Sequence, residues 1–225
     1  MDNKSTKSKL IVIEGTDCSG KETQSNLLYE RLKAERFKIE KLGFPMYDTP
    51  TGKIVGGPYL GKKHISEGFF PQGAANVDPK VAALYYAADR RYNCDKITTL
   101  LAQGTNVLLD RYVESNMAHQ GGKIFNPQQR MDMYKWLENL EYGLLELPKP
   151  DITIFLYMPY RYALELKKNR AEQPDQHEAS EEHLKNAEQA FLELVKLYNF
   201  KTINCSQDGK IKSIEAIHEE VYAAV

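Results

Sequence analysis

The stretch IVIEGTDCSGKETQ, from Ile11 to Gln24, decides how this chain is read. The apolar run KLIVIE (9–14) reads as a buried strand, and KETQSNLLYERLKAERF (21–37) places Leu27, Leu28 and Leu32 at helical spacing. Between them, Gly15 and Gly20 flank four residues and Lys21 follows, the spacing of a phosphate-binding loop in the strand–loop–helix context that such a loop requires. Glycines there let backbone N–H groups converge on one cavity, and the helix N-terminus adds positive potential. Lys21 is expected to reach the β and γ phosphates as a point charge. The expected nucleotide set is Gly15, Thr16, Asp17, Cys18, Ser19, Gly20, Lys21, Glu22 and Thr23. Cys18 is read as a small loop residue without a redox role. Glu22 stands where a hydroxyl for Mg²⁺ is the rule, and two readings stay open. Either it is a first-turn acid favoured by the helix dipole, or its carboxylate binds Mg²⁺ directly or through water. Thr23 still offers a hydroxyl on the α-phosphate side.

Outward from the loop, β-rich runs alternate with helical ones. FKIEKLGF (37–44), NVLLDRY (106–112), PDITIFLYM (150–158) and KTINCS (201–206) read as further strands. DPKVAALYYAADRRYNCDKITTLLAQG (78–104) is a long helix opened by Asp78 and Pro79, and a closing helix lies in IKSIEAIHEEVYAA (211–224). The alternation implies an α/β fold, a parallel sheet of about five strands with helices on both faces. Sites in such sheets gather at the carboxyl ends of the strands, where Gly15 to Lys21, Asp110 to Tyr112 and Asn204 to Ser206 all fall. No repeat or long linker divides the chain, so a single domain over 1–225 is expected, with residues 1–8 as a flexible tail. The Gly- and Pro-rich segment 43–73 is either a mobile substrate-side flap or an irregular connection.

A formal net charge of −1 over 225 residues, with acids and bases interleaved, argues against a nucleic-acid coat or a membrane-surface protein. No apolar run approaches the roughly 20 residues that span a bilayer, and the polar start lacks a secretory apolar segment. Three scattered cysteines without CxxC spacing fit a reducing, cytoplasmic location.

Four further pieces, in order along the chain, carry a resemblance: FPMYDTPTGKIV from Phe44, LYYAADRR from Leu84, DRYVESNMAHQG from Asp110 and DQHE from Asp175. With the phosphate loop they make the chain resemble the thymidylate kinases over nearly its whole length. The resemblance implies the P-loop NTPase three-layer α/β/α fold with a short lid at about 166–180. It also implies transfer of the ATP γ-phosphoryl to dTMP with Mg²⁺, and a homodimer. Carried over residue by residue, it makes Lys21, Arg111, Arg170 and Asp17 catalytic, with Arg170 as the lid arginine on the transferring group. Phe44, Tyr47, Tyr86, Arg90, Arg111, Asn116 and His119 would hold dTMP, with Tyr86 against the pyrimidine face and Arg90 at O4. A guanidinium only donates, which suits thymine or uracil O4 and opposes the amino group of cytosine. Glu22, Asp110 and Asp175 would serve the metal, and Ser206, with Asn204 and Cys205, would border adenine.

The sequence also departs from the family pattern. Met46 stands in or near a place where arginine is common, and His119 where tyrosine is common, which bears on exclusion of ribonucleotides. Read without the resemblance, Tyr86 is core and Arg90 a solvated helix charge, whereas Asp110-Arg111, at the sheet's functional edge, reads as a grip on the acceptor phosphate with a structural ion pair as the alternative. Two other functions therefore stay open. One is a kinase for another pyrimidine nucleotide or a deoxynucleoside. The other is a non-catalytic nucleotide-binding protein, favoured by Glu22, Met46 and a lid with a single arginine.

Overall fold

The computed structural model describes residues 7–168 and 181–225. Strand β1 (Leu10–Gly15) is buried at every position and lies at the centre of the sheet. It pairs in parallel with β3 (Asn106–Asp110) on one side and β4 (Ile152–Tyr157) on the other. β2 (Ile39–Gly43) and β5 (Lys201–Asn204) form the edges, giving the order β2-β3-β1-β4-β5, every pair parallel. This is the five-stranded parallel sheet expected from the alternation of strands and helices. Strands covered on both faces need apolar residues at successive positions rather than at alternate ones, which is why LIVI and VLL read as continuous runs.

The helices are α1 (Lys21–Ala34), α2 (Pro50–Ile54), α3 (Pro79–Ala102), α4 (Val113–Gly121), α5 (Pro127–Glu138), α6 (Tyr160–Lys168), α7 (Glu181–Tyr198) and α8 (Ile214–Ala223). Because side chains of a strand alternate between faces, β1 feeds two cores. Leu10 and Val12 meet Ile97 of α3, Met117 of α4, Leu137 of α5 and Phe191 of α7. Ile11 and Ile13 meet Leu28 and Leu32 of α1, Ala163 of α6 and Ile217 of α8. Leu27 is 37% exposed and belongs to the outer face of α1. It shares apolar character with Leu28 and Leu32 but not their stripe.

Segment 43–73 has definite structure. Thr49 caps α2, accepting from the Gly52 N–H, and α2 continues into a π-helical turn, Val55–Tyr59. Val55, Tyr59, Leu60, Ala74, Val77 and Ala82 form a third apolar cluster over the start of α3. Lys123, just beyond α4, donates to the carbonyls of Ala74 (3.0 Å) and Val77 (3.1 Å) and ties this segment down. Beyond β5 the chain adds a short antiparallel hairpin, β6 (Ser206–Gln207) with β7 (Lys210–Ile211), which the sequence reading did not anticipate. Of the tail expected at 1–8, Lys7 and Ser8 are described, and the Ser8 hydroxyl donates to the Leu101 carbonyl (2.7 Å). The lid expected at about 166–180 falls mostly outside the described residues. Among the described residues, no helix is long and apolar enough to cross a membrane.

Candidate active site

The loop after β1 is tightly constrained. A Cβ on Gly15 would stand 2.4 Å from Ser19 Oγ and 2.7 Å from the Leu156 carbonyl, so only glycine lets the loop close against β4. Gly20, the N-cap residue of α1, has φ +80°, and Cys18 holds a left-handed φ of +57°. The Thr16 hydroxyl donates to the Met158 carbonyl (2.7 Å) and accepts the Met158 N–H (2.9 Å), fastening the loop to the end of β4. Lys21 folds over this loop and donates to the carbonyls of Gly15 (3.0 Å) and Thr16 (2.7 Å). Burial pushes the Lys21 ammonium down to about 8, and nearby Arg111 adds to the fall, against the opposing pull of Asp17, Asp110 and Glu14. Glu22 and Thr23 are exposed on the first turn of α1. Behind the loop, Cys205 Sγ lies 3.8 Å from the Ser19 carbonyl, so the β5 end, with Ser206 opening β6, abuts the phosphate loop.

The end of β3 supplies the second group of charges. Arg111 follows Asp110 with a left-handed φ of +67°, and its N–H donates to the Ile13 carbonyl (3.0 Å). Its guanidinium lies 3.7 Å from the Asp17 carboxylate. Burial alone would weaken the Arg111 charge, but Asp17, Asp110 and Glu14 outweigh it and hold the guanidinium firmly protonated.

Glu14 is the residue that the sequence reading missed at this point. It is fully buried at the end of β1, and its carboxylate accepts from the Tyr112 N–H (2.7 Å), the Ser115 N–H (3.0 Å) and the Ser115 hydroxyl (2.6 Å). α4 has no side-chain cap of its own; Glu14 caps it from the neighbouring strand. One strand end therefore leads into the phosphate loop and also fixes the turn that carries Arg111. Burial raises the Glu14 pKa, against the opposing effects of Ser115, Arg111, Tyr112 and Lys21.

Between the loop and α4 lies a cavity lined by Asp17, Phe44, Tyr47, Tyr86, Arg90, Arg111, Asn116 and His119, together with Leu60, Tyr112, Ser115 and Gln120 among others. All seven residues carried over for dTMP thus share one cavity. Arg90 is not a solvated helix charge; it is buried and its fork grips Glu141 through Nε and through Nη2 (2.6 Å). Tyr86 stands edge-on to Tyr59, with centroids 5.6 Å apart. His119 stacks on His183 of α7, Nδ1 to Nε2 3.2 Å. Met46 is buried, and Asp89 accepts its N–H (2.9 Å) and the Thr51 hydroxyl (2.8 Å), so a carboxylate on α3 holds the Phe44–Thr51 loop over the cavity. Arg170 and Asp175 lie outside the described residues.

Two further groups, Gln120 in the cavity wall and Asp89 behind the loop over it, went unrecognised in the sequence. Gln120 is fully buried and, among the described residues, neither atom of its amide has a partner. It follows Asn116 by four positions on α4, a helical spacing that could have drawn attention to it. Asp89 adjoins Arg90, and its role shows only in the packing that brings the Met46 N–H and the Thr51 hydroxyl to it. Among the described residues no cluster of three or more His, Cys, Asp or Glu side chains forms a metal cage.

Comparison with known proteins follows the same lines. The family model described as thymidylate kinase matches residues 13–221. The human thymidylate kinase is 32% identical over 214 residues, covering 94% of this chain and 87% of that one. That of Plasmodium falciparum is 33% identical over 158 residues, 70% of this chain, and the match spans 65% of the relative's length. A solved thymidylate kinase from Candida albicans superposes with a TM-score of 0.73 at 27% identity, covering 96% of this chain and 90% of that one.

Proposed function

The chain belongs to the thymidylate kinase family, and from that premise we propose that it transfers the γ-phosphoryl group of ATP to dTMP, giving ADP and dTDP. The observation that carries this reading is the single cavity joining Tyr86, Arg90 and Asn116 at one end to Arg111 and Asp17 at the phosphate-loop end.

The chemistry is positioning and charge stabilisation, with no covalent enzyme intermediate. Bound ATP lays its phosphates along Gly15 to Lys21, and the Lys21 ammonium exchanges the carbonyls of Gly15 and Thr16 for phosphate oxygens. Arg111, aligned by Asp17, holds the dTMP phosphate so that one of its oxygens attacks the γ-phosphorus in line with the departing ADP oxygen. Arg170 serves as the lid finger on the transferring group. At the far end Tyr86 lies against the pyrimidine, Arg90 donates to O4, and Asn116 with Gln120 completes the recognition. Phe44 and Tyr47 close the cavity from the loop that Asp89 anchors. His119 lies towards the sugar, and Ser206 towards adenine.

The donor set suits Mg²⁺, an oxygen-seeking ion that keeps several waters and shares phosphate oxygens rather than needing a protein cage. Asp110, close enough to Lys21 and Arg111 to shift both, would hold it through water, with Glu22 and Asp175 as further carboxylates. It would supply charge neutralisation between the β and γ phosphates.

The same reading describes one domain with a lid at about 166–180, acting as a cytoplasmic homodimer on small molecules. Cys18, Cys94 and Cys205, none of them in a disulfide among the described residues, support a reducing compartment. Val81, Leu84 and Tyr92, exposed apolar groups along α3, support a second copy as the covering surface.

The test is ADP release with Mg-ATP against dTMP, dUMP, UMP, dCMP and thymidine. A strong preference for dTMP supports the reading. Preference for another acceptor reassigns the substrate, and ATP binding without turnover on any acceptor refutes the kinase.

A further inference from the structure

Arg90 and Asn116 face the cavity, yet what fixes their hydrogen-bonding character lies behind them. We propose that Glu141 is a positioning residue that sets the donor–acceptor code for the pyrimidine, by orienting Arg90 and fixing the polarity of the Asn116 amide. The inference rests on the dTMP reading above and adds a determinant to it.

Glu141 belongs to the π-helical turn Asn139–Leu144 that follows α5, and it is fully buried. Both of its oxygens are engaged. Oε2 accepts from Arg90 Nε, while Oε1 accepts from Arg90 Nη2 (2.6 Å) and from Asn116 Nδ2 (2.9 Å). Arg90 Nη1 also points at the Tyr112 carbonyl (3.5 Å). A guanidinium has five N–H donors in a fixed fork. With its inner edge engaged, the donors left on Nη1 and Nη2 are the only ones available to a ligand.

The Asn116 amide is fixed by elimination. Its Nδ2 faces Glu141 Oε1 and the Ala83 carbonyl (3.2 Å). Both partners are pure acceptors, so only the NH₂ end of the amide can face them. Oδ1 is then turned the other way, and among the described residues it is buried without a partner. The wall therefore offers a donor from Arg90 and an acceptor from Asn116. Thymine presents the complement, a C4 carbonyl beside an N3–H. Cytosine reverses both, with a 4-amino donor beside a bare N3. Among the described residues Gln120 has neither amide atom engaged and can turn to suit either base, so it does not carry the code. A buried ion pair contributes little net stability; its gain here is the fixed Arg90 fork and, together with the Ala83 carbonyl, the fixed NH₂ end of Asn116.

The test compares dTMP with 5-methyl-dCMP, which matches dTMP in size and methyl group and differs only at N3 and C4. In Glu141→Gln Arg90 loses its bidentate carboxylate partner, and of the two acceptors that hold the NH₂ end of Asn116 only the Ala83 carbonyl stays an obligatory one, so both base-facing groups lose part of their fixed orientation. The ratio of kcat/KM for dTMP over 5-methyl-dCMP is expected to fall about 100-fold, through KM for the acceptor, with KM for ATP unchanged. A merely structural role lowers kcat/KM for both acceptors alike and leaves the ratio intact, which would overturn the inference. Should Glu141→Gln fail to fold, Asn116→Ala keeps the Arg90–Glu141 pair and removes the acceptor. Its ratio is expected to fall about tenfold, and an unchanged ratio overturns the inference equally. If the unmodified protein forms no ADP with dTMP, the proposed function falls and this inference with it. Turnover of dTMP with an unaltered ratio in the folded variants overturns this inference alone.

Discussion

Replacing Glu14 by alanine removes the acceptor of three hydrogen bonds, from Tyr112 N–H, Ser115 N–H and the Ser115 hydroxyl. The hydroxyl can rotate to another acceptor, but the two backbone donors are fixed and buried. At about 1–3 kcal/mol for each orphaned donor the loss is about 2–6 kcal/mol, and water entering the vacated space brings it to about 3 kcal/mol. The larger effect falls on catalysis. Arg111 holds its left-handed φ of +67° between the Ile13 carbonyl and the Tyr112 N–H that Glu14 captures. Releasing Tyr112 lets that turn relax, and a displacement near 1 Å of the acceptor-phosphate arginine costs about 100-fold in kcat/KM. Glu14→Gln retains an oxygen for both N–H groups, so it is expected to cost about 1 kcal/mol and less than about tenfold in rate. Urea unfolding followed by circular dichroism measures the first quantity, and dTMP-dependent ADP release the second. Should alanine and glutamine behave alike, with both within about 1 kcal/mol of the unmodified protein, Glu14 does not clamp α4 and the reasoning fails.

The Lys21 ammonium, pushed down to about 8 by burial, should be restored to full charge by ATP phosphates. ATP affinity measured calorimetrically is therefore expected to weaken by up to about tenfold per pH unit above that value, and a flat profile contradicts the role given to Lys21. Burial, helped by nearby Glu14, raises the Glu114 carboxyl to about 7 from 4.5. Within that window the folded protein keeps a proton that the unfolded chain has released, so stability falls as pH rises from 4.5 to about 7, by about 3 kcal/mol in total. Glu114→Gln should flatten that slope in urea titrations, and an unchanged slope would assign it elsewhere. A Cβ on Gly52 would sit 1.8 Å from the Met46 carbonyl oxygen. Gly52→Ala should thus cost about 3 kcal/mol and raise KM for dTMP by displacing the loop over the cavity; a variant with both values unchanged would separate that loop from the acceptor site.

What the sequence made legible was local. The phosphate loop is a run of seven residues, Gly15 to Lys21, whose glycines and lysine have no better joint explanation, and strands β1, β3 and β4 announce themselves because both faces are buried. Asp110-Arg111 was legible because it ends such a strand. The supporting carboxylates were not. Glu14 reads as the polar end of a strand, Asp89 as a helix charge and Glu141 as one acid in a charged stretch. The partners named above lie 98 to 101 positions from Glu14, 38 and 43 from Asp89, and 25 and 51 from Glu141, and burial of a charge is decided by those partners rather than by its neighbours in sequence. Segment 43–73 read as a mobile flap or an irregular connection because it is rich in Gly and Pro, while its order comes from Tyr59, Leu60 and Val77 packing on α3. Arg90 illustrates both sides. Its spacing from Tyr86 put the two on one helix face, but only the fold shows the fork held by Glu141.

The most direct measurement of the central claim is phosphorus NMR of Mg-ATP and dTMP incubated with the protein, with Lys21→Ala as the control. The account predicts that dTDP and ADP appear in equal amounts as ATP and dTMP disappear, and that Lys21→Ala forms neither at a comparable rate. ATP that binds but persists beside unconverted dTMP would contradict it.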